Sequence, residues 1–294
     1  MKNVLVFGLS GQVGAALLAH GFGDARLLAV SRRPREAIGG VTWRLGSLEQ
    51  MPDIGGDFDV ILGLGPLDAF ARWFDGSGLR PRKVIALGST SVNSRADSSD
   101  AGERAQAACL QKAEAILGRA CAMRGCALQL LRPTLIYGRG LDHSLSRLAG
   151  LARRHGLVLL PGKAAGLRQP VHVDDVAAAV ARLLQEGKDE SFALDLPGGE
   201  RLRFDEMLSR VLAVAAPRAW VVYLPAFLIK FALRGAAKLG VAEHVDEAFV
   251  SRIGRDQVFD AAPAVHRIGW KPRGFQPMRE DFIPAREFAA SQQA

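Results

Sequence analysis

Apolar residues in this 294-residue chain occur in short continuous runs, separated by stretches with helical periodicity. The runs that predict strands are Val4–Phe7, Arg26–Ser31, Val41–Leu45, Val60–Gly63, Val84–Leu87 and Leu128–Leu131. Strands that are apolar throughout are buried on both faces, which is typical of a parallel sheet covered by helices on both sides. The pattern therefore predicts the α/β class with a doubly wound parallel sheet.

Helices are predicted between and after these strands. Residues Gln12–Ala19 carry apolar side chains at helical spacing. Asp100 followed by Glu103 is a capping pattern, and it predicts an Ala-rich helix that runs to about Ala122. A further helix begins at His172–Asp175. Its apolar face consists of Val176, Val180, Leu183 and Leu184.

The alternation of strands and helices changes after Arg139. Residues 139–166 are rich in Gly, Arg and His, and residues 197–294 contain prolines, basic residues and short helical patterns. We expect these two segments to form a smaller C-terminal substrate-binding lobe, and residues 1–138 and 167–196 to form the sheet domain. In such sheets ligands bind beyond the carboxyl ends of the strands, where the strand order reverses.

Composition excludes several classes of protein. The chain is 49% hydrophobic and 23% charged, so it can bury a core, and its net charge of +8 suits an anionic ligand. Basic residues are not interleaved with aromatic ones, so no nucleic-acid partner is expected. The three cysteines lack zinc-ligand spacing, and no other cluster of potential ligands has metal spacing. We expect no disulfide framework, no metal, buried cysteines and a cytoplasmic location.

No segment predicts membrane insertion. The apolar start ends at Gly8, too early for a secretory signal, and the uncharged stretch Ala219–Ile229 is shorter than the roughly 20 residues of a spanning helix. Residues Pro225–Gly240 could form a helix on a membrane surface, as in a reductase of lipid-linked substrates. A helix that covers part of a ligand pocket is favoured, so peripheral membrane contact is not expected.

A glycine-rich turn joins the first predicted strand to the first helix. Gly8 permits a tight turn, Gly11 lets the backbone approach a pyrophosphate, and Gly14 allows the helix to pack closely on the strand. The helix N-terminus then offers free amides and a positive dipole to that anion. The turn therefore predicts a dinucleotide site. Its cofactor-binding residues are predicted to be Gly8, Ser10, Gly11, Gln12, Val13 and Gly14.

The residues after the second strand predict which dinucleotide binds. An NAD site usually has an acid here for the ribose 2′-hydroxyl, whereas this chain has Ser31, Arg32 and Arg33. A guanidinium matches a phosphate, and a serine hydroxyl can donate to one. We therefore predict NADP(H) rather than NAD(H). Two solvated arginines on a loop are the alternative.

Five segments occur in order along nearly the whole chain. They are Gly8-x-x-Gly11-x-x-Gly14, Leu87–Val92, Leu131–Gly138, Pro170–Val176 and Ile268–Pro272. Together they resemble the extended short-chain dehydrogenase/reductase superfamily, of the NAD-dependent epimerase/dehydratase kind. The resemblance implies a Rossmann-type core, a small C-terminal lobe that commonly binds nucleotide-diphosphate sugars, and a cofactor contact at Pro133. It also makes a homodimer through the Asp100–Ala122 helix plausible.

The family's catalytic groups are a Ser or Thr after the fifth strand and a Tyr-x-x-x-Lys on the next helix. The resemblance implies that the tyrosine is the acid/base, and that the lysine lowers its pKa and holds the nicotinamide ribose. Ser89 fits the hydroxyl position. Lys112 could be the lysine, which would put Ala108 at the tyrosine position.

A second register is also open. If Glu114 matches the acid that follows the family's lysine by four residues, the lysine and tyrosine positions are Leu110 and Gln106. Neither register contains a tyrosine, and the chain's two tyrosines, Tyr137 and Tyr223, are far away in sequence. A positioned acid/base contributes roughly 10²–10⁴-fold in rate, so the usual carbonyl reduction should be impaired.

Three interpretations of the missing tyrosine remain. Another group could supply the proton: Ser89 through water, Lys112, His143 or Tyr223. The chain could instead catalyse a step that needs no such acid. It could also bind the cofactor without turnover.

Two arginines are candidates for the substrate. Arg168 matches the arginine that pairs with the substrate diphosphate in the UDP-sugar epimerases that this chain resembles, and Arg255 lies where the family places a second one. A solvated basic lobe is the alternative. The sequence thus predicts an NADP(H)-binding, epimerase/dehydratase-like oxidoreductase of an anionic substrate, a nucleotide sugar. The competing hypothesis is a non-catalytic NAD(P)H-binding sensor or assembly subunit.

Overall fold

The computed structural model describes residues 2–51, 54–142, 144–162, 164–225, 228 and 252–283. The strands are β1 (Asn3–Phe7), β2 (Arg26–Ser31), β3 (Val41–Leu45), β4 (Val60–Gly63), β5 (Lys83–Leu87), β6 (Ala127–Pro133), β7 (Ile136–Tyr137), β8 (Leu157–Pro161), β9 (Leu167–Arg168), β10 (Val171–His172), β11 (Phe192–Leu196), β12 (Leu202–Arg203) and β13 (Trp220–Leu224). The helices are α1 (Gln12–His20), α2 (Leu67–Gly76), α3 (Ser91–Ser94), α4 (Ala101–Arg124), α5 (Leu145–His155), α6 (Val173–Gln185), α7 (Phe204–Ala215) and α8 (Ala262–Ile268). A 3₁₀ turn spans Arg279–Phe282.

The chain divides into two compact units. The first unit consists of Met1–Thr134, Val173–Leu196 and Asp260–Lys271. The second unit consists of Leu135–His172, Pro197–Phe259 and Pro272–Ala294. Each unit is therefore assembled from separate stretches of the chain.

The first unit is built on a seven-stranded sheet with the order β11-β6-β5-β4-β1-β2-β3. All of its strand pairs are parallel; Val6 of β1, for example, lies opposite Ala29 of β2 and Leu62 of β4. The order reverses at β1, because β2 lies on one side of it and β4 on the other. Right-handed connections then put α1 and α2 on opposite faces of the sheet. The predicted doubly wound α/β fold, of the Rossmann type, is confirmed.

The sheet core is apolar on both faces. Every side chain of β4 and β5 is buried, and α1 packs against α6 while α2 packs against α4. Phe7 lies 4.3 Å from Trp73, between ring centroids, and 5.7 Å from Phe70. Burying one such large apolar side chain contributes about 1.5–3 kcal/mol, so this cluster fixes α2 to the sheet.

Most of the predicted elements have the bounds that the sequence indicates. Strands β2, β3 and β4 match the predicted ranges, and β1 and β5 begin one residue earlier. Helix α4 is capped as predicted, since the Asp100 carboxylate accepts from the Glu103 amide at 2.8 Å. The Glu103 carboxylate accepts from the Ser98 hydroxyl at 2.5 Å, and Ser98 Oγ in turn accepts from the Asp100 amide. The helix ends at Arg124, where Gly125 adopts the left-handed conformation (φ 65°).

The structure places α8 in the first unit, whereas the sequence grouped all of residues 197–294 with the lobe. Helix α8 packs against β11. The Arg267 guanidinium lies over the Phe192 ring and pairs with Glu190 at 2.7 Å. Arg182 of α6 donates to the carbonyl of Ile268, at the C-terminus of α8. These contacts explain why a segment so late in the sequence joins the sheet.

The second unit has its own apolar core between α5, α7 and short strand pairs. Tyr137 is 1% exposed, and its ring meets the rings of His172 and Phe275 edge-on at 5.0 and 4.9 Å. Met207 and Leu208 of α7 are fully buried against it. Tyr137 therefore has a packing role in this core.

Some predictions fall on residues outside the described part of the chain, and one prediction differs from the structure. His143 and most of Pro225–Gly240 lie outside the described residues. Among the described helices, none has the length and apolar character needed to cross a bilayer. All three cysteines are free, but only Cys121 and Cys126 are buried. The prediction of burial is wrong for Cys109, which is exposed on α4.

Candidate functional site

The turn between β1 and α1 has a backbone that only glycine adopts easily. Gly8 has a φ of 83°, and its carbonyl accepts from the Gly11 amide at 2.9 Å. A Cβ atom at Gly8 would lie 2.7 Å from the backbone of Leu64 and Gly65, which follow β4. The turn therefore needs glycine both for its conformation and for the close approach of the neighbouring strand's loop.

No side chain caps the N-terminus of α1. Gly11 is the N-cap residue, and no acid lies in the first turn of this helix. Gly14 packs so closely that a Cβ there would lie 2.4 Å from the backbone of Leu9. Ser10 and Gly11 are exposed, Gln12 is half-buried, and the Val13 side chain is buried in the core. A helix N-terminus without a side-chain cap suits an anion.

A cleft of about 250 Å³ opens beside this turn, at the reversal of strand order. Its lining comes from the ends of β1 and β2 and from the loops after β3 and β4. The predicted residues Gly8, Ser10, Gly11, Ser31 and Arg32 all line it. It is lined in addition by Ser47, Leu48, Glu49, Leu64 and Gly65.

Polar groups at the far end of the cleft follow β2. Ser31 is buried, and its hydroxyl accepts from the Arg33 amide at 3.3 Å. The Arg32 and Arg33 side chains are exposed, but only Arg32 belongs to the cleft lining. Glu49 brings an acid to the same lining. Glu49 was not predicted from the sequence. Its position shortly after β3 could have indicated it, because ligands bind beyond the carboxyl ends of parallel strands.

The ends of β5 and β6 lie side by side. The Gly88 amide donates to the carbonyl of Leu131 at 2.7 Å, and the Thr90 amide donates to that of Pro133 at 3.3 Å. Ser89, the predicted catalytic hydroxyl, is half-buried, and its Oγ accepts from the Ser91 amide at 3.2 Å. Ser89 and Pro133 therefore lie at the carboxyl edge of the sheet, where ligands bind in folds of this kind.

A half-buried ion network stands next to this edge. Arg132 donates to both Glu114 oxygens, at 2.9 and 2.6 Å, and lies 3.7 Å from Asp195. A Cβ at Gly88 would lie 3.3 Å from Glu114 Oε1. The hydrogen bond to Glu114 raises the pKa of Arg132, and burial raises the pKa of Asp195. Glu114 therefore faces the sheet edge that carries Ser89.

Lys112, by contrast, lies on the exposed side of α4, and so does Ala108. Gln106 is also exposed, and its side-chain oxygen accepts from Arg95. Gln111 donates to the carbonyl of Val92 at 3.4 Å. The structure brings Glu114 and Gln111, rather than Lys112, toward the residues that follow β5.

Arg168 is deeply buried in the second unit. Its guanidinium donates to the carbonyls of Leu167 and Arg255 at 2.9 and 2.6 Å, and to that of Arg252 at 2.7 Å. It also lies 5.5 Å from the centroid of Phe204, and burial lowers its pKa from the ordinary value. Arg255 has an exposed side chain. Arg168 thus fixes the backbone of the segment that presents Arg255.

His172 ends β10, and α6 begins at the next residue with Asp174 and Asp175 in its first turn. The His172 imidazole lies 3.1 Å from the Asp281 carboxylate, and both are buried. No group of three or more potential metal ligands occurs among the described residues. His172 and Asp281 are part of the second unit's packing, and Asp174 and Asp175 lie where acids favour a helix N-terminus.

Known proteins share this fold at low sequence identity. No protein-family model matches the sequence, and a comparison with curated proteins finds no match. MoeE5, solved with UDP-glucuronic acid and NAD, has a TM-score of 0.69 at 19% identity, with 99% of both chains covered. UDP-glucose 4-epimerase from Thermotoga maritima, solved with UDP-glucose, has a TM-score of 0.67 at 14% identity, covering 99% of this chain and all of that one.

A third structure of the same fold is RMD from Pseudomonas aeruginosa, which was solved with NADPH. Its TM-score is 0.66 at 16% identity, with 96% of this chain and 98% of that chain covered. The fold common to all three extends over nearly the full length of the chain.

Proposed function

We propose that the first unit binds NADP(H) and that the chain is an epimerase/dehydratase-like oxidoreductase of an anionic substrate, a nucleotide sugar. The observation that carries the proposal is the cleft beside Gly8, which joins a glycine turn, an uncapped helix N-terminus and a basic strand end. Bound NADP(H) would donate or accept a hydride. Neighbours of the same fold that hold NAD or NADPH, and UDP-sugars, support this proposal.

The residues of the cleft fit a dinucleotide. Among the described residues other than its chain neighbours, the one atom within 4 Å of a Cβ added at Gly11 is the Gly8 carbonyl oxygen, at 3.2 Å. The lack of a side chain at Gly11 would let a pyrophosphate approach the backbone. The α1 amides would donate to that group. Leu48 and Leu64 offer apolar surface to a planar base.

NADP(H) is proposed over NAD(H) because of the groups that follow β2. Arg32 lines the cleft and Arg33 follows it, and guanidinium groups bind phosphate more strongly than they bind a ribose hydroxyl. Glu49 opposes this preference, since a carboxylate favours a hydroxyl donor over a phosphate. Two arginines against one acid leave a net positive charge at this end, which supports the phosphorylated cofactor.

We place the substrate's anionic group on the second unit, at Arg255. The buried Arg168 would position the backbone that presents it, through hydrogen bonds to the carbonyls of Arg252 and Arg255. At the sheet edge Ser89 would polarise a substrate oxygen. Pro133, whose carbonyl accepts from the Thr90 amide, would shape the wall near the cofactor.

The contact between Glu114 and Arg132 supports the second register for the family's Tyr-x-x-x-Lys positions. Gln106 and Leu110 would then stand in those positions, and Lys112 would be a solvated residue rather than a ribose ligand. Neither an amide nor a leucine exchanges protons near neutral pH. Chemistry at this site would therefore use a donor other than the usual tyrosine, with Ser89 through water as the first candidate.

A second candidate function is a cofactor-binding protein without turnover. The exposure of Lys112 and the amide at position 106 favour it. Both candidates predict NADP(H) binding, and only the first predicts conversion of a substrate. Incubation with NADPH and UDP-, GDP- and dTDP-sugars separates them: conversion that disappears in S89A supports the enzyme, and binding without conversion supports the second candidate.

The cofactor proposal is tested by titrating the protein with NADPH and with NADH. Replacing Arg32 and Arg33 by alanine should weaken NADPH binding about 10–100-fold, because hydrogen bonds to a charged group contribute about 1.5–3 kcal/mol. Binding of NADH should change little.

Arg35→Ala is the matched control, because Arg35 lies in the same loop but over the Trp43 ring, 5.6 Å from its centroid. That variant should keep the affinity for NADPH. Equal affinity of the unchanged protein for both cofactors, or an equal loss of both in the double variant, would overturn the NADP(H) assignment.

A further inference from the structure

Strands β8 and β13 form a two-stranded parallel sheet on the second unit. Their register pairs Trp220 with Leu157 and Val222 with Leu159. On the inner face, Val158 is buried in the core of the unit together with other apolar side chains. The opposite face of this small sheet, the outer face, is formed by Leu157, Leu159, Trp220 and Val222.

The outer face is apolar and open to solvent. Leu157 and Leu159 are 42% and 40% exposed, and Trp220 and Val222 are 76% and 38% exposed. A strand with one wet face normally alternates apolar and polar side chains, whereas both of these strands are apolar on both faces. Contiguous exposed apolar residues of this kind mark a surface that meets a partner.

The charged side chains that lie close to the outer face along the sequence have one sign. Within residues 144–162 and 216–225 every charged or titratable side chain other than Tyr223 is basic, and all of them are exposed. They are Arg147, Arg153, Arg154, His155 and Arg218. The Trp220 amide donates to the carbonyl of Gly156 at 2.9 Å, so the basic end of α5 adjoins the start of β13.

We propose that the outer face docks on the surface of an anionic lipid bilayer. Trp220 would insert at the boundary between headgroups and acyl chains, where tryptophan is favoured, and Leu157 and Leu159 would follow it. The arginines at the end of α5 and in the turn before β13 would meet lipid phosphates and carboxylates. This proposal stands on the second unit alone and is independent of the cofactor site.

Charge and area argue for a bilayer over a second copy of this chain. In a twofold interface the basic clusters of both copies would come together and repel. Four side chains also fall short of the roughly 800 Å² per partner that a stable protein interface buries. An anionic surface turns the same charge into attraction and needs only shallow insertion.

The test is flotation of the full chain with vesicles of phosphatidylcholine alone or with about one quarter phosphatidylserine. Binding is expected to the anionic vesicles at low salt, with loss at high salt as the charges are screened. R153E/R154E should lower binding at least tenfold, since each basic residue near the surface contributes about fivefold. The control R80E/R119E reverses two exposed arginines of the first unit and should bind normally.

Insertion is tested separately from charge. W220S should weaken binding about tenfold through the lost apolar contact, while M123S, which changes a residue of similar exposure (74%) on α4, should not. Brominated lipids should quench the fluorescence of the unchanged protein more than that of W220F. This readout does not depend on how W220S folds.

Three results would overturn the proposal. These are equal binding to neutral and anionic vesicles, the same quenching in W220F as in the unchanged protein, and a dimer that W220S dissociates in light scattering. The last result would assign the outer face to a second copy.

Discussion

At the scale of single residues, a few positions are fixed by close backbone contact rather than by chemistry. Gly8 and Gly14 belong to the dinucleotide turn, and an added methyl group at either would overlap backbone atoms that cannot move aside. Gly118, inside α4, has open space instead. A glycine is therefore required by its surroundings at Gly8 and Gly14, whereas Gly118 has room for a side chain.

Substitution of Gly14 and Gly118 by alanine should change the free energy of unfolding in opposite directions. G14A should lower the free energy of unfolding by about 1–3 kcal/mol, because its methyl would press on the backbone of Leu9. G118A should raise it by about 0.5–1 kcal/mol, since alanine is the better helix former and meets no neighbour. Urea denaturation of both variants measures the difference. A neutral G14A would show that α1 can move away from the turn at Leu9.

Lys83 is a second residue with an unusual environment. It is 1% exposed, and its ammonium group donates to the carbonyls of Leu183 and Glu186 at 2.6 and 2.8 Å. Lys2 donates to the carbonyl of Leu184 at 2.7 Å, so two lysines satisfy the C-terminal end of α6. Burial lowers the pKa of Lys83 below its ordinary value of 10.5.

The lowered pKa makes stability depend on pH. Between the lowered pKa and 10.5 the unfolded chain binds more protons at Lys83 than the folded chain does, so stability rises with pH in that window. K83M should lack this rise. In urea denaturation, the free energy of unfolding of the unchanged protein minus that of K83M should therefore rise from about pH 8 to about pH 10. K188M, at an exposed lysine, serves as the control, and parallel curves for K83M would contradict the assignment.

At the scale of elements, α4 is fixed at both ends and along one side. Asp100 caps its start, Gly125 ends it in the left-handed conformation, and Arg132 holds Glu114 from the sheet. These contacts set which residues face the sheet edge beside Ser89.

Removal of the cap should weaken α4 by a predictable amount. D100A should lower the free energy of unfolding by about 0.5–2 kcal/mol, because it leaves the Glu103 amide without its acceptor. D100N should keep most of the stability, and D97A should change little, since Asp97 is exposed. Urea denaturation distinguishes the three, and an equal loss in D97A would point to general charge effects instead of capping.

At the scale of the whole molecule, six of the seven strands were predictable because they are short apolar runs between polar or glycine-rich segments. Strand β11 (Phe192–Leu196) was not predicted. Helix α2 was not predicted, because Leu67–Gly76 is short and lies between Pro66 and Gly78. Helix α5 was also missed, since its arginines and glycine hide the apolar face. Only tertiary packing against the sheet and the second core stabilises such helices.

The candidate site was predictable only where its residues form a local sequence pattern. The glycine turn is one contiguous stretch and the residues after β2 are another, so a local pattern indicates each of them. Ser47, Leu48 and Glu49 join the cleft only because β3 lies beside β2 in the sheet. The pairing of Glu114 with Arg132 depends on how α4 packs against β6. Contacts that topology creates have no short-range signature.

The chain passes from one unit to the other five times, and the last return brings α8 to β11. A nascent chain therefore cannot finish its first unit until residues near the C-terminus have been synthesised. Any premature stop before Asp260 leaves β11 without this cover and exposes the Phe192 ring. Truncated products should be marked for proteolysis by their own incomplete sheet edge, and neither unit can be expressed as one continuous fragment.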